Sequence, residues 1–266
     1  MPKLAPRSLA LTLPMLLAVA ASAIGCSDLG THKIQIDGNT AVTEGFATAD
    51  GWTVNFQSFV VVVHDPGLIE RSDNEPTWVR QNGVTVWDVV SGLPEGDEFS
   101  RQIRATRYDG ADFRIAPADI SEYEAVAGNA PGEIVDAAVE EGWSIHVVGS
   151  ADAAMTTVHF DWTFDTNTFY RCKLDGDDAV ELMADGVETS TLEILGDALF
   201  RTALGDPDAG LAFQPIADAD ANDDNMVTVD ELEAAGLLDT LTSLTAELGG
   251  VRGAGPCPEY EAPDSE

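Results

Sequence analysis

The chain has 266 residues, of which 13 are Lys or Arg and 47 are Asp or Glu, giving a formal net charge of −34 at pH 7. That balance excludes nucleic acid as a partner, because phosphate contacts need clustered basic side chains, and it makes anionic lipid headgroups poor ligands. It suits cations, basic partners, or simply a solvated surface of the halophile kind.

Lys3 and Arg7 give a short basic start, and residues 9–25, LALTLPMLLAVAASAIG, are apolar and small. A membrane-spanning helix needs ~20 apolar residues, so this run, interrupted by Pro14, suits the core of a signal peptide over 1–25 instead. It ends in SAIGC, residues 22–26, which resembles the lipobox of bacterial lipoproteins. The resemblance implies cleavage before Cys26 and a lipid on its sulfur and amine, which would tether the chain to a membrane outside the cytoplasm. Ser27, not Asp, follows the cysteine, which in a Gram-negative host would by analogy favour the outer membrane, whether periplasmic or surface-facing. The alternative is ordinary secretory cleavage near Ala21–Ala23. Either route makes the chain extracytoplasmic.

With Cys26 acylated, Cys172 and Cys257 remain. In an oxidising compartment one disulfide between them is the simplest expectation, with two free thiols as the alternative.

The elements follow in chain order. After a short tether, Lys33, Gln35 and Asp37 interleave with Ile34 and Ile36, a strand pattern of period two within 27–42. Residues 51–65, GWTVNFQSFVVVVHD, read as a long strand. Trp52, Val54, Phe56 and Ser58 would share one face, and the continuous run Phe59 to Val63 suits burial on both sides. Residues 84–90 and 99–110 are further strands, the second carrying Arg101, Arg104 and Arg107 as a basic cluster expected to pair with acidic neighbours. Residues 129–142 read as a helix, with Pro131 in its first turn, an apolar stripe of Ile134, Val135, Ala138 and Val139, and Gly142 as its stop. A β-hairpin follows over 143–164, then a strand at 187–195 and a short helix at 197–204. At least six strands with turn signals between them argue for a mainly β fold, an antiparallel β-sandwich with a few short helices over 26–200. An EF-hand-like helix–loop–helix appendage over 201–249 and an acidic tail, 250–266, tied by Cys257 and disordered beyond it, follow.

The stretch DANDDNMVTVDE, residues 220–231, crowds five carboxylates and two asparagines into twelve residues. An EF-hand loop offers oxygens at positions 1, 3, 5, 7, 9 and 12. Counted from Asp220 these are Asp220, Asn222, Asp224, Met226 through its carbonyl, Thr228 and Glu231. Val227 fills position 8, where an apolar side chain anchors the loop. Position 6 is Asn225 instead of glycine, and Asn tolerates the left-handed conformation better than most residues. A register starting at Asp218 puts Val229 in the last ligand position and fails. Pro215 keeps the entering helix short, and Gly236 sits inside the exiting one, whose Leu237, Leu241, Leu244 and Leu248 read as core packing. The expected ion is Ca²⁺; the alternative is an acidic turn that resembles the motif by chance. EF-hands usually pair, and a lone loop suggests a structural or weak site.

A second candidate lies in the hairpin. A turn at 151–154 would set His146 opposite His159, with Ile145 facing Phe160 and Trp143 facing Trp162 on the core side. Two imidazoles on facing strands can share copper or zinc; the alternative is two histidines on an exposed face. His64 could be a third ligand, though nothing in the sequence places it there.

Four stretches in order, WTVNFQSFVVVV (52–63), LPEG (93–96), WSIHVVGSA (143–151) and TLEILGDALF (191–200), resemble the MbnP-like periplasmic proteins found beside methanobactin copper-chelator clusters. That resemblance covers most of 40–200. It implies a secreted β-sandwich associated with copper handling and carries no ligand residue across. No G-x-S-x-G, no H-E-x-x-H and no phosphate-cradling glycine loop occurs, so catalysis is not expected. The resulting expectation is a lipid-anchored extracytoplasmic sandwich that binds calcium, with a copper-binding protein of MbnP-like type as the alternative.

Overall fold

The computed structural model describes residues 28–70, 77–91 and 99–260. The leader, Cys26 and residues 261–266 of the tail lie outside the described residues. In the first half of the chain the elements are β1 (Leu29–Gly38), α1 (Thr40–Glu44), β2 (Phe46–Ala47), β3 (Thr53–Glu70), β4 (Thr77–Arg80), β5 (Val84–Asp88), β6 (Phe99–Arg104), β7 (Arg107–Tyr108), β8 (Gly110–Ile115) and β9 (Ala125–Ala127). In the second half α2 (Gly132–Glu141) leads to β10 (Ile145–Ala153), β11 (Thr156–Phe164), β12 (Thr168–Lys173), β13 (Val180–Glu181) and β14 (Val187–Ile194). The chain ends with α3 (Gln214–Ala217), β15 (Met226–Thr228), α4 (Val229–Ala234), α5 (Leu238–Leu244), β16 (Gly249–Val251) and β17 (Gly255–Pro256).

The fold is mainly β and sandwich-like. One sheet runs β17-β16-β14-β1-β6. The larger sheet runs β12-β8-β3-β10-β11-β15, with β2, β4 and β5 also pairing with β3, and β9 with β5. Most ladders are antiparallel, but β1 pairs parallel with β14, β5 with β9 and β11 with β15. The period-two pattern of β1 does what it promised, burying Ile34 and Ile36 and leaving Lys33 and Gln35 partly exposed.

β3 organises the larger sheet. Phe59, Val61 and Val63 face the inter-sheet core, while Val60 and Val62 face a second apolar cluster with Val86, Val135, Ala138 and Trp143. A run buried on both faces has no reason to alternate, which is why it reads as continuous valine. Val54 and Phe56 join the same core as Phe59 although their parity differs. Between Phe56, opposite Gly149, and Ser58, opposite Val148, the register slips by one residue. Gln57 is therefore a β-bulge that re-aims the strand. Ser58 consequently leaves the face of Trp52, Val54 and Phe56, contrary to the alternation in sequence, and its hydroxyl donates to Asp88 at 3.1 Å. The bulge demands glycine at 149, where a Cβ would meet the Phe160 ring and lie 2.5 Å from the Asn55 carbonyl oxygen.

α2 covers the outer cluster, burying Val135 and Ala138 and stopping at Gly142, whose φ of 74° closes it with an N–H bond to the Ala138 carbonyl. Pro131 is its N-cap and stands just before the first turn. The expected helix at 197–204 is a short 3₁₀ turn, Gly196–Phe200, with Ala198, Leu199 and Phe200 buried. Within the basic cluster Arg104 pairs with Glu70 and Arg107 with Glu181, while Arg101 donates to the Arg80 carbonyl.

The 201–249 segment is built into the sandwich. Phe213, Ile216, Val227, Leu232, Leu241 and Leu244 belong to the same core cluster as the sheets. Gly236, at φ 71°, splits the exiting helix into α4 and α5. Cys172 and Cys257 form a disulfide that ties the C-terminal stretch to β12, a strand the sequence pattern did not reveal. The tail is ordered further than expected: Tyr260 donates its N–H to the Phe169 carbonyl at 2.8 Å, and its ring lies 3.4 Å from the Arg171 guanidinium carbon. The bridge at Cys257 holds residues 258–260 beside β12, so they pair with it instead of fraying.

Candidate metal centre

The twelve-residue loop begins where α3 ends. Pro215 stands in the first turn of α3, and Asp50 caps that turn by accepting the N–H groups of Phe213 and Gln214 at 2.9 and 2.7 Å. Burial pushes the Asp50 carboxyl up, but the hydrogen bonds from Thr48, Gln214 and Phe213 outweigh it and hold the group below its ordinary range.

Inside the loop the carboxylates turn the chain. Asp220 accepts the N–H of Asp224 at 3.2 Å and of Asn225 at 2.8 Å, and Asn222 accepts the N–H of Asp224 at 2.9 Å. Asp224 in turn accepts the N–H of Met226 at 2.8 Å. Asn225 sits at φ 64°, the left-handed conformation expected at position 6, and Asp223 at position 4 sits at φ 58°. Both are residue types that tolerate this region.

The far half of the loop is strapped to the sandwich. β15 pairs parallel with β11, setting His159 beside Met226, Phe160 beside Val227 and Asp161 beside Thr228. The His159 N–H reaches the Asn225 carbonyl at 2.8 Å. Val227, fully buried, enters the core, and Trp162 donates its indole N–H to the Val227 carbonyl at 2.9 Å. β15 is thereby the last strand of the larger sheet, with β11 as its neighbour.

Glu231 is the exception to the expected ligand set. Thr228 is the N-cap of α4, and its hydroxyl and backbone N–H both donate to Glu231 Oε2, at 3.1 and 3.0 Å, in a capping box. Among the described residues no three His, Cys, Asp or Glu side chains gather as a metal cage. The loop thus carries oxygen-bearing residues at the spacing of a hard-cation loop, with its last carboxylate engaged on the helix cap.

The histidine pair does not form as expected. The hairpin turns at Ala154 and Met155, so His146 faces Thr163, His159 faces Ser150, and Val147 faces Trp162. Ile145 lies opposite Phe164 instead of Phe160. Both histidines lie on the outer face, but four residues along a strand separates them by about 13 Å, too far to share one ion. His146 Nε2 is instead 2.8 Å from Asp161 Oδ1. His64 is no third ligand to such a pair: it is buried in β3, with Nε2 2.9 Å from the Ala116 carbonyl oxygen.

Compared with family models, curated proteins and solved structures, the chain matches none. The reading of the site therefore rests on its own residues. Asp223 and the strap to β11 are the parts missed from the sequence. Trp162 was a usable signal, since a buried indole N–H requires an acceptor, and so was T-V-D-E at 228–231, which is also a capping-box spacing.

Proposed function

We propose that the chain is a lipid-anchored extracytoplasmic protein that binds Ca²⁺ through residues 220–231, in a binding or structural role and without catalysis. The observation that carries this reading is the loop backbone: left-handed residues at 223 and 225, braced by Asp220, with Val227 buried at position 8. An acidic turn without a cation has no need to combine that path with ligand-type residues at every alternate position. Asp220, Asn222, Asp224, the Met226 carbonyl, Thr228 and Glu231 would supply the oxygens, Glu231 leaving its cap to do so. Extracellular modules of this kind bind with Kd of ~10⁻⁴–10⁻³ M. At millimolar calcium, filling such a site adds about 1 kcal/mol of stability.

Calorimetric titration of the full chain with Ca²⁺ tests the reading. One site is expected, weakened at least tenfold by Glu231→Gln and by Asp220→Asn. Calcium heat that survives both substitutions would show that the ion binds elsewhere.

A further inference from the structure

A cavity of about 710 Å³ lies among the C-terminal elements, bounded by residues of the 201–207 turn, of α5 and the turn after it, of 256–259, and by Thr166 and Thr168. Its volume falls in the range of small-molecule sites. Leu204, Pro207, Pro256 and Pro258 give it apolar walls, and Leu204 is 61% exposed at its edge.

Its charged groups are Arg201, Glu247 and Glu259. The Arg201 side chain is only 6% exposed. Its Nη1 donates to Glu247 Oε2 at 2.8 Å and its Nη2 lies 3.6 Å from Asp197 Oδ2. Its Nε is buried with no hydrogen-bond partner, which leaves one donor unmatched. Glu247 also accepts the Gly205 N–H, and the exposed Glu259 joins the lining. The lining thus holds one guanidinium, already paired with Glu247 and Asp197, and the further carboxylate of Glu259, in a chain of formal net charge −34. An anionic ligand is repelled by that field, and a cation is attracted.

We propose that this cavity binds a small amphipathic cation: an apolar body against Leu204 and the prolines, and a positive group near Glu247 and Glu259. The inference does not depend on calcium at the 220–231 loop.

NMR titration of the full chain with hexylammonium, hexanol, hexanoate and methylammonium tests it. Hexylammonium should shift the amides of 205 and 245–247 and bind roughly fivefold tighter than hexanol, the factor expected of one part-exposed charge pair. Hexanoate and methylammonium should produce no saturable shift there. Glu259→Gln should erase the advantage of hexylammonium over hexanol. Leu204→Ser, also at an exposed position, should weaken both ligands. Equal affinity for hexylammonium and hexanol in the native chain would overturn the cationic class. Methylammonium matching hexylammonium, or shifts spread over the acidic surface, would reduce the effect to counter-ion attraction and overturn the site.

Discussion

Trp162 donates its indole N–H to the carbonyl of Val227 at 2.9 Å, joining the centre of β11 to position 8 of the acidic loop. Both residues are fully buried. Trp162→Phe keeps most of the packing and leaves that carbonyl without its indole donor, at a cost of about 1–3 kcal/mol. The urea midpoint should fall accordingly, and calcium affinity should fall with it. A variant with lowered stability and unchanged calcium affinity would separate the sheet from the loop.

Asn225 offers a second measurement. At φ 64° a residue with an ordinary Cβ pays about 1–2 kcal/mol, whereas glycine pays nothing sterically. Asn225→Ala should lower stability in calcium by about 1 kcal/mol, and Asn225→Gly should not. Equal melting curves for the two variants would show that position 6 is not held in this conformation.

The disulfide closes a sequence separation of 85 residues. On the chain-entropy model such a loop contributes about 4–5 kcal/mol. Cys172→Ser with Cys257→Ser should reduce the unfolding free energy by that order, and hydrogen exchange should show residues 256–260 loosening first. Oxidised and doubly substituted chains with the same urea midpoint would contradict this.

His32 lies on β1, 1% exposed, with Nε2 2.9 Å from Ser190 Oγ. Burial pushes its pKa down to about 4, and burial also lowers that of His64. The unfolded imidazole titrates near 6.5, so between pH 6.5 and 4 the unfolded state binds more protons. Stability present above pH 6.5 is therefore lost as pH falls through that window. His32→Asn should flatten the pH dependence of the urea midpoint between pH 6.5 and 4, the more so when His64 is also replaced. An unchanged slope would mean that His32 is accessible to protons in the folded chain.

The parts of this fold that were legible in the sequence are those set by local pattern. Ile34 and Ile36 alternate because one face of β1 is buried, and Phe59–Val63 is continuous because both faces of β3 are. The alternation of oxygen-bearing residues over 220–231 was visible too, because hard-cation ligands would follow a fixed spacing, and it is the basis of the calcium proposal. What stayed hidden depended on partners distant in sequence. The bulge at Gln57 is set by its pairing across from Val148 and Gly149. The hairpin register turned on Ala154 at φ 50°, a left-handed residue with none of the Asn-Gly chemistry that marks such turns. That displaced turn is what moved His146 away from His159. Glu231 fits two motifs at once, ligand and cap, and spacing alone does not choose between them.

The parallel seam between β15 and β11 also governs how the loop would respond to a changing ion supply. Sister loops that lean on each other can fill together and so act as a threshold. A loop that leans on a strand, if it holds an ion as proposed, lacks a sister loop at this seam to be coupled to, and its occupancy would follow a plain one-site saturation curve. Such a site would work as a rivet whose grip scales with the surrounding cation level, unsuited to a trigger.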